Sequence, residues 1–304
     1  MRAINRGEAL GILGCDFKEL AGLLEAERLY RGGMSFCAIL NAKSGRCGED
    51  CIFCAQSSVS GGACDGYPLM DHQTMKSCRE KYEGTRVNYF SIVTSGGSPS
   101  PGELREVCLA LRGSNRGRPE WCASLGILEP PELGMLADSG LTRYHHNVET
   151  AESFFPGICS THSWRSRAAT VESAVDAGLQ VCSGGVLGLG ESLEQRVEFA
   201  FQLRALGVDS IALNFFVEAP GVSISRDAPF TSSLDFFRAV VMIRLVCTDS
   251  ELRICAGRKR LGMYEKLLPA AGVNGVMTGD LLTTAGYSLE RDLEFFGENG
   301  ETVG

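Results

Sequence analysis

The segment SFCAILNAKSGRCGEDCIFC, residues 35–54, places a short apolar run directly before three closely spaced cysteines. The apolar run, 35–43, is typical of a buried strand. Seven more runs of this kind recur along the chain, at 88–96, 120–126, 142–149, 180–188, 210–217, 251–257 and 275–280. Helical patterns, with apolar residues three and four apart, separate them. Eight strands alternating with helices predict an α/β fold, a (β/α)8 barrel of the TIM type, and leave an open doubly wound sheet as the alternative.

The size and composition of the chain fit one such barrel. Its 304 residues would suffice for two average domains or for a single barrel, and no low-complexity linker divides it. With 44% hydrophobic and 22% charged residues, it can bury a large core. We expect one domain, with an N-terminal helical segment at 1–30, the barrel at 31–290 and a tail at 291–304.

The charge and hydropathy of the chain restrict its partners and its location. A formal net charge of -8 and a pI near 5.2 argue against general binding of nucleic acid or acidic lipid, because those partners require a basic surface. The sequence has no signal-peptide pattern and no apolar run of about 18 residues. We therefore expect a cytoplasmic protein with a small-molecule partner, no nucleic acid and no membrane.

Cys47, Cys51 and Cys54 follow the first predicted strand, at the end of a barrel where active sites lie. Three thiolates from one loop can bind three corners of a cubane iron-sulfur cluster and leave one iron open to a substrate or cofactor. A structural zinc site is the alternative, but it needs a closed set of four ligands, and no second pair with that spacing stands nearby. The chain has 13 cysteines, an odd number, which cannot all form intramolecular disulfides.

The stretch NAKSGRCGEDCIFCAQSS resembles the signature of the biotin synthase family, a branch of the radical S-adenosylmethionine (SAM) superfamily. The segments HHNVET, VCSGGVLGLGE, ALNFF, AGR and GVMTGDLLTTAG agree with that family in the same order. The resemblance implies a sulfurtransferase whose 4Fe-4S cluster, bound by the cysteine triplet, cleaves SAM to a 5'-deoxyadenosyl radical. This radical attacks dethiobiotin, and an auxiliary iron-sulfur cluster, 2Fe-2S or larger, supplies the sulfur of biotin. A homodimer and an electron donor such as flavodoxin or ferredoxin are also implied.

The resemblance also assigns roles to single residues. Asn147 and Glu149 match positions that bind the ribose of SAM, and Arg167 matches the arginine that meets its carboxylate. Glycines of SGGVLGLGE, Gly185 and Gly188 among them, would let the adenine approach the backbone. On the substrate side the matching residues are Asn214, Thr283 and Thr284. Without the resemblance, Glu149 and Arg167 would be interpreted as solvated surface charges.

The auxiliary cluster is where the chain departs from the family pattern. Cys122, Cys182 and Arg258 match three of its family ligands, but Ser91 stands where the fourth, a cysteine, is expected. Serine is a poor iron ligand beside thiolates. We hypothesise that Cys255 compensates, although residues 255 and 258 should face opposite ways on a strand unless a glycine breaks the pleat.

A second departure concerns the substrate. His145 replaces an asparagine that lies near the substrate ring in the family, and it can still donate one hydrogen bond while accepting another. The first hypothesis is a biotin synthase of a variant type, and the second is an enzyme of the same branch acting on another small substrate. The third is a non-catalytic iron-sulfur or zinc-binding barrel, for which the matches at Asn147, Glu149 and Arg167 would be coincidence.

Overall fold

The structure is a computed structural model that describes most of the chain. The described residues are 3–30, 32–45, 47–57, 59–60, 64–112, 117–218, 222, 224, 228–282 and 285–297. Thr283 and Thr284, predicted on the substrate side, lie outside the described residues.

Eight parallel strands form a closed barrel in chain order, which confirms the predicted (β/α)8 fold and excludes the open sheet. The strands are β1 (Ser35–Lys43), β2 (Val87–Thr94), β3 (Glu120–Ser124), β4 (Arg143–His145), β5 (Gln180–Leu187), β6 (Ser210–Phe215), β7 (Glu251–Ile254) and β8 (Gly275–Met277). Strand β4 is much shorter than the predicted 142–149. Beyond His145 the chain keeps only separate hydrogen bonds to β5, among them those from the His146 amide to the Cys182 carbonyl and from the Glu149 amide to the Gly184 carbonyl, and Glu149 adopts a left-handed backbone with φ of 67°.

Helices surround the barrel, and two more precede it. They are α1 (Arg6–Gly14), α2 (Phe17–Glu27), α3 (His72–Glu80), α4 (Pro101–Arg112), α5 (Pro130–Asp138), α6 (Trp164–Asp176), α7 (Leu193–Leu206), α8 (Ser233–Val246) and α9 (Leu289–Phe296). A 3-10 segment, Arg258–Leu267, follows β7 in place of an α-helix. Polar residues fix several helix starts: Asn5 and Ser192, for example, each form a capping box with the residue three positions on. Helix α9 crosses the predicted tail boundary at 291 and buries Asp292 and Phe296.

The apolar core lies between the helices and the outer face of the barrel. Alternate residues of β1, such as Phe36 and Ala38, belong to this core, as do Phe90 and Ile92 of β2. The residues between them on each strand point into the barrel lumen, because successive side chains of a strand face opposite ways. Many lumen residues are thiols or polar groups, so the lumen differs from an apolar barrel filling.

Strand pairing defines the layers of side chains inside the barrel, where alternate strands contribute to one layer. Cys37 of β1 pairs with Tyr89 of β2, and Tyr89 pairs with Glu120 of β3. Because the strands of the barrel are tilted, the β3 residue at the height of Cys37 is two positions after Glu120, which is Cys122. The same rule, pairing across two strands and then moving two residues on, leads from Cys122 to Cys182 of β5 and on to Arg253 of β7. A last application returns from Arg253 to Cys37, so the four residues form a closed ring. We call this ring the cysteine layer, and its members are Cys37, Cys122, Cys182 and Arg253.

Two further layers lie above the cysteine layer, toward the carboxyl ends of the strands. By the same pairing, the next layer comes from the even strands and contains Ser91, His145, Ala212 and Met277. Above it, the odd strands contribute Ile39, Ser124, Gly184 and Cys255. Most of the side chains in these two layers are small, so the barrel has little bulk above the cysteine layer.

Candidate active site

The cysteine triplet lies in a loop that begins where β1 ends. The loop is closed by a hydrogen bond from the Cys47 amide to the Gln56 carbonyl (2.8 Å) and by one from the Cys54 amide to the Cys51 carbonyl (3.2 Å). Gly45, with φ of 131°, lets the loop pass against Gly66, because a side chain on Gly45 would meet the Gly66 Cα at 3.0 Å. The three thiols are free and partly buried, and this loop holds them at one mouth of the barrel.

The surroundings of the triplet favour a positively charged ligand for its sulfurs. Burial raises the pKa of Cys51 and of Cys54, and neighbouring thiols raise it further. Such thiols stay protonated until a cation replaces their protons. Three free thiols on one short loop are soft ligands, which select iron-sulfur clusters, zinc or copper(I) over hard cations. The donor set therefore fits an iron-sulfur cluster.

Asn147, Glu149 and Arg167, which come from different segments, meet beside this loop. Arg167 donates a hydrogen bond from Nη2 to Glu149 Oε1 (3.1 Å) and another from Nε to the Asn147 carbonyl (2.5 Å). Asn147 Nδ2 donates to Glu149 Oε2 (3.3 Å). The charges of Glu149 and Arg167 both act on the Cys51 thiol. The structure thus brings the three residues predicted for SAM together with the triplet.

The backbone around Glu149 explains one of the two predicted glycines. The Glu149 amide donates to the Gly184 carbonyl (3.0 Å), and its carbonyl accepts from the Val186 amide (2.8 Å). A Cβ on Gly185 would lie 1.9 Å from the Glu149 carbonyl oxygen, so only glycine fits there. Gly188 has φ of 92° and packs against the Phe236 ring, which a Cβ would approach to 3.1 Å. Packing accounts for both glycines, and their contact with adenine stays a prediction.

A fourth thiol, Cys159, adjoins the triplet and was missed by the sequence analysis. Its Sγ lies 3.6 Å from Cys51 Sγ and 3.4 Å from His162 Nδ1. His162 Nδ1 in turn contacts Glu49 Oε2 (2.8 Å), while its Nε2 lies 3.1 Å from Arg167 Nη1. The spacing Cys159-x-x-His162, directly before α6, was the available signal.

Cys122, Cys182 and Cys255 all face the barrel lumen, below the triplet. They are almost fully buried, and Cys182 and Cys255 pack together. Burial raises the pKa of Cys182, but the charge and hydrogen bond of His145, together with Arg253, outweigh burial and lower it to about 7. Burial lowers the pKa of His145, and the adjoining Cys182 raises it by more. His145 therefore stabilises a thiolate at Cys182.

Arg258, predicted as a ligand beside these cysteines, directs its hydrogen bonds to Asp292, although its charge still acts on the Cys255 thiol. Arg258 Nη2 pairs with Asp292 Oδ2 (2.7 Å), and its guanidinium stacks over the Tyr287 ring, 4.8 Å from the ring centroid. The physical reason is Gly257, whose φ of 76° turns the chain out of the extended conformation after Cys255. Arg258 thus fixes α9 to the outside of the barrel.

Arg253 is the arginine that lies in the cysteine layer. Its side chain is 2% exposed, and its Nη2 contacts Glu251 Oε2 (3.1 Å). Its Nη1 is buried without a hydrogen-bond partner within the described part of the chain. Although burial lowers the pKa of Arg253, the nearby Cys37 and Cys182 raise it by more. Arg143, which also contacts Glu251 (2.9 Å), adds a second cation beneath the layer.

The predicted substrate residue Asn214 also lies on the lumen side of its strand. Its Nδ2 donates to the Gly185 carbonyl (3.2 Å), and its Oδ1 accepts from the Ala256 amide (3.0 Å). Each end of the carboxamide keeps one further hydrogen-bonding position. Ser91 is buried in the same layer as His145.

Within the residues that the structure describes, no helix is long and apolar enough to span a membrane.

Comparison with known proteins identifies the family. The model of the radical SAM superfamily matches residues 42–203, and the model of the Biotin and Thiamin Synthesis associated domain matches residues 212–302. A biotin synthase of Maridesulfovibrio salexigens is 43% identical, over 99% of this chain and 94% of its own length. A biotin synthase of Desulfotalea psychrophila is 41% identical, over 96% of this chain and 88% of its own.

Solved structures agree with the barrel fold. The FeFe-hydrogenase maturase HydG from Carboxydothermus hydrogenoformans superimposes with a TM-score of 0.77 at 15% identity, over 96% of this chain and 74% of its own. Methylornithine synthase superimposes with a TM-score of 0.76 at 16% identity, over 96% of this chain and 88% of its own. These two likenesses concern the fold alone. Through its sequence relatives and both matching family models, the chain belongs to the biotin synthase family of radical SAM enzymes.

Proposed function

We propose that this enzyme converts dethiobiotin into biotin by radical SAM sulfur insertion. One observation carries the proposal: the loop of Cys47, Cys51 and Cys54 lies beside Glu149 and Arg167, at the mouth of a lumen lined with further cysteines. A site for generating a radical thus opens directly toward a site for storing sulfur. Both sequence relatives named above are biotin synthases, so the alternative of a different small substrate has no support beyond His145.

The triplet would bind a 4Fe-4S cluster through three thiolates and leave one iron for SAM. When bound, that cluster supplies the electron for the cleavage of SAM into methionine and a 5'-deoxyadenosyl radical. The protein binds and orients SAM. Arg167 suits its carboxylate, since a guanidinium has five donors and three of them have the partners named above. The buried Asn147 Oδ1 has no partner among the described residues and is an acceptor for a ribose hydroxyl.

The auxiliary cluster would lie in the lumen, bound by Cys122, Cys182 and Cys255. Three buried free thiols on the lumen side of the barrel, Cys255 above the other two, support this set. We propose Arg253 in place of Arg258 as the arginine of the site, because its unpartnered Nη1 lies in the cysteine layer. His145, together with Arg253, lowers the pKa of Cys182 to about 7 against the effect of burial, which favours the thiolate that a metal ligand requires.

The substrate would lie between the two clusters. Asn214 has one donor and one acceptor position left for a ureido ring. His145 faces the same lumen and would take the place of the family asparagine. The predicted contributions of Thr283 and Thr284 and the adenine contacts of Gly185 and Gly188 complete the proposed site.

The remaining partners follow from the chemistry. Cleavage of SAM needs one electron from outside, for which a small electron-transfer protein, a flavodoxin or ferredoxin, is suited. Free thiols and iron-sulfur clusters persist in a reducing compartment, so we place the enzyme in the cytoplasm. A homodimer is the expected assembly.

Anaerobic reconstitution with iron and sulfide tests the function. Incubation with SAM, dithionite and dethiobiotin should give methionine, 5'-deoxyadenosine and biotin, measured by mass spectrometry. Cys54→Ala should abolish all three products, whereas Cys78→Ala, a matched change on α3, should abolish none. If 5'-deoxyadenosine forms without biotin, the substrate is another compound. If none forms with the parent, the radical SAM activity itself is refuted.

A further inference from the structure

Cys37 is a buried thiol of the lumen to which neither the motif nor the proposed function gives a role. It is 8% exposed and belongs to the cysteine layer together with Cys122, Cys182 and Arg253. A single buried cysteine is usually a small apolar residue. Cys37 differs, because its strand neighbours Phe36 and Ala38 pack in the outer core while it faces the lumen.

The charges that reach Cys37 all come from the lumen. Burial raises its pKa most, Arg253 lowers it, and Cys182 raises it. Conversely, Cys37 is the thiol with the largest electrostatic effect on Cys122. It also acts on Cys255. Four thiols therefore share one electrostatic environment inside the barrel.

Cys37 also lies next to the position where a cysteine is missing. Ser91 pairs with Ile39 of β1, and Cys37 is two residues before Ile39 on the same face. In the barrel, Cys37 is one layer below Ser91 on the adjoining strand. A thiol at Cys37 thus enters the same sector of the lumen that a cysteine at Ser91 would occupy.

The four thiols have the arrangement that a cuboidal cluster needs. Cys37, Cys122 and Cys182 form three corners of one layer, and Cys255 lies two layers above, which is about 6.6 Å along a strand. Four ligands in one plane could not reach the four irons of a cube, whereas a triangle with a displaced fourth ligand can. The layer between them has the small side chains of Ala212 and Ser91 on two of its four sides, and His145 and Met277 on the other two.

We propose that Cys37 supplies a fourth thiolate to the auxiliary iron-sulfur site, together with Cys122, Cys182 and Cys255. This inference rests on the proposed function, since it requires an auxiliary cluster in the lumen. Cys37 of β1 would then take over the role of the cysteine that is missing at Ser91 of the neighbouring strand β2. A 4Fe-4S cluster held by four cysteines has no iron open to an added ligand, so Arg253 would stand beside the cluster as a buried cation and hydrogen-bond donor and would not bind iron.

A chain that lacks the loop triplet isolates the auxiliary site for the test. In Cys47→Ala/Cys51→Ala/Cys54→Ala protein, iron, sulfide and the visible spectrum report on the lumen alone. Adding Cys37→Ala should lower bound iron at least threefold, as Cys122→Ala should. Cys108→Ala is the matched control, a buried thiol on α4 outside the lumen, and should leave iron unchanged. Thermal unfolding of the metal-free chains shows whether each variant folds.

Three results are decisive: the first refutes the auxiliary site, and the other two refute only Cys37 as a ligand. If the triplet-free chain binds no cluster at all, the auxiliary site of the proposed function is refuted. If it binds a cluster that Cys37→Ala leaves unchanged in iron and spectrum, Cys37 is not a ligand and the auxiliary site stands. Mössbauer spectra of the triplet-free chain test the inference without a substitution at Cys37. Four irons with equal coordination support four thiolate ligands, whereas one iron with a distinct signal overturns the inference.

Discussion

The carboxylate of Glu149 accepts a hydrogen bond from the guanidinium of Arg167 across 3.1 Å, although Glu149 lies in the segment after β4 and Arg167 lies in α6. Both side chains are about one-seventh exposed, so the pair is shielded but still reachable from the mouth of the barrel. The αL backbone of Glu149 and the fixed hydrogen bonds of its peptide hold the carboxylate in one place. This pair is therefore a preorganised feature of the cofactor side.

Removal of the guanidinium should weaken SAM binding. We expect Arg167→Met to raise the Kd for SAM about tenfold or more, because a hydrogen bond to a charged group contributes about 1.5–3 kcal/mol. Calorimetric titration of the reconstituted enzyme measures the change. Arg165→Met is the control: Arg165 lies on the same helix, pairs with Glu152 and has a side chain that is 83% exposed. Equal Kd values for both variants would contradict a role for Arg167.

Gly185 should not tolerate a side chain. A Cβ there would overlap the Glu149 carbonyl at 1.9 Å, so Gly185→Ala must move β5 or the Glu149 turn. We expect a loss of at least about 3 kcal/mol in unfolding free energy, measured by thermal or urea unfolding of the metal-free protein. In contrast, Gly134→Ala in α5 meets nothing within 4 Å and should stabilise by about 0.5–1 kcal/mol. A Gly185→Ala protein as stable as the parent would show that the turn is adaptable.

Substitution of Arg258 should affect the stability of the fold, whereas substitution of Arg253 should affect the binding of auxiliary iron. Arg258→Met leaves the buried Asp292 with Arg291 as its ion-pair partner, so it should cost about 1.5–3 kcal/mol and lower the unfolding temperature without changing auxiliary iron. Adding Asp292→Asn should recover part of that stability. Arg253→Met should lower the auxiliary iron of the triplet-free chain. The reverse pattern, iron lost with Arg258 alone, would restore the prediction made from the sequence.

The sequence was sufficient for the barrel because each strand and helix carries its own local pattern. It was not sufficient for β4, because the regular pairing with β5 stops at His145 and no local pattern in the sequence marks that position. The triplet and its neighbours Asn147 and Arg167 were found through motifs. Arg258 was chosen by motif as well, whereas alternation alone sets Arg253 and Cys255 on one face of β7.

Cys37 shows the limit of reasoning from sequence. The alternation of β1 predicts which face carries Cys37, but the layer depends on the register between strands that are far apart in the chain. Register is fixed by long-range packing. Cys159 was missed for a similar reason, since 108 residues separate it from Cys51, the thiol that it meets.

Oxidation of the metal-free enzyme should join Cys51 to Cys159. Their Sγ atoms are 3.6 Å apart, and a disulfide needs about 2.05 Å, so a modest movement of two side chains is enough. Treatment with diamide removes one proton and one electron from each thiol, forms the S–S bond and reduces diamide to its hydrazine. Peptide mapping by mass spectrometry under non-reducing conditions identifies the product. Cys159→Ser should abolish that linkage and leave Cys51 alkylatable, while Cys108→Ala should change nothing. A dominant link between Cys51 and Cys54 in the parent would show that Cys54 of the loop, and not Cys159 before α6, is the thiol nearest to Cys51.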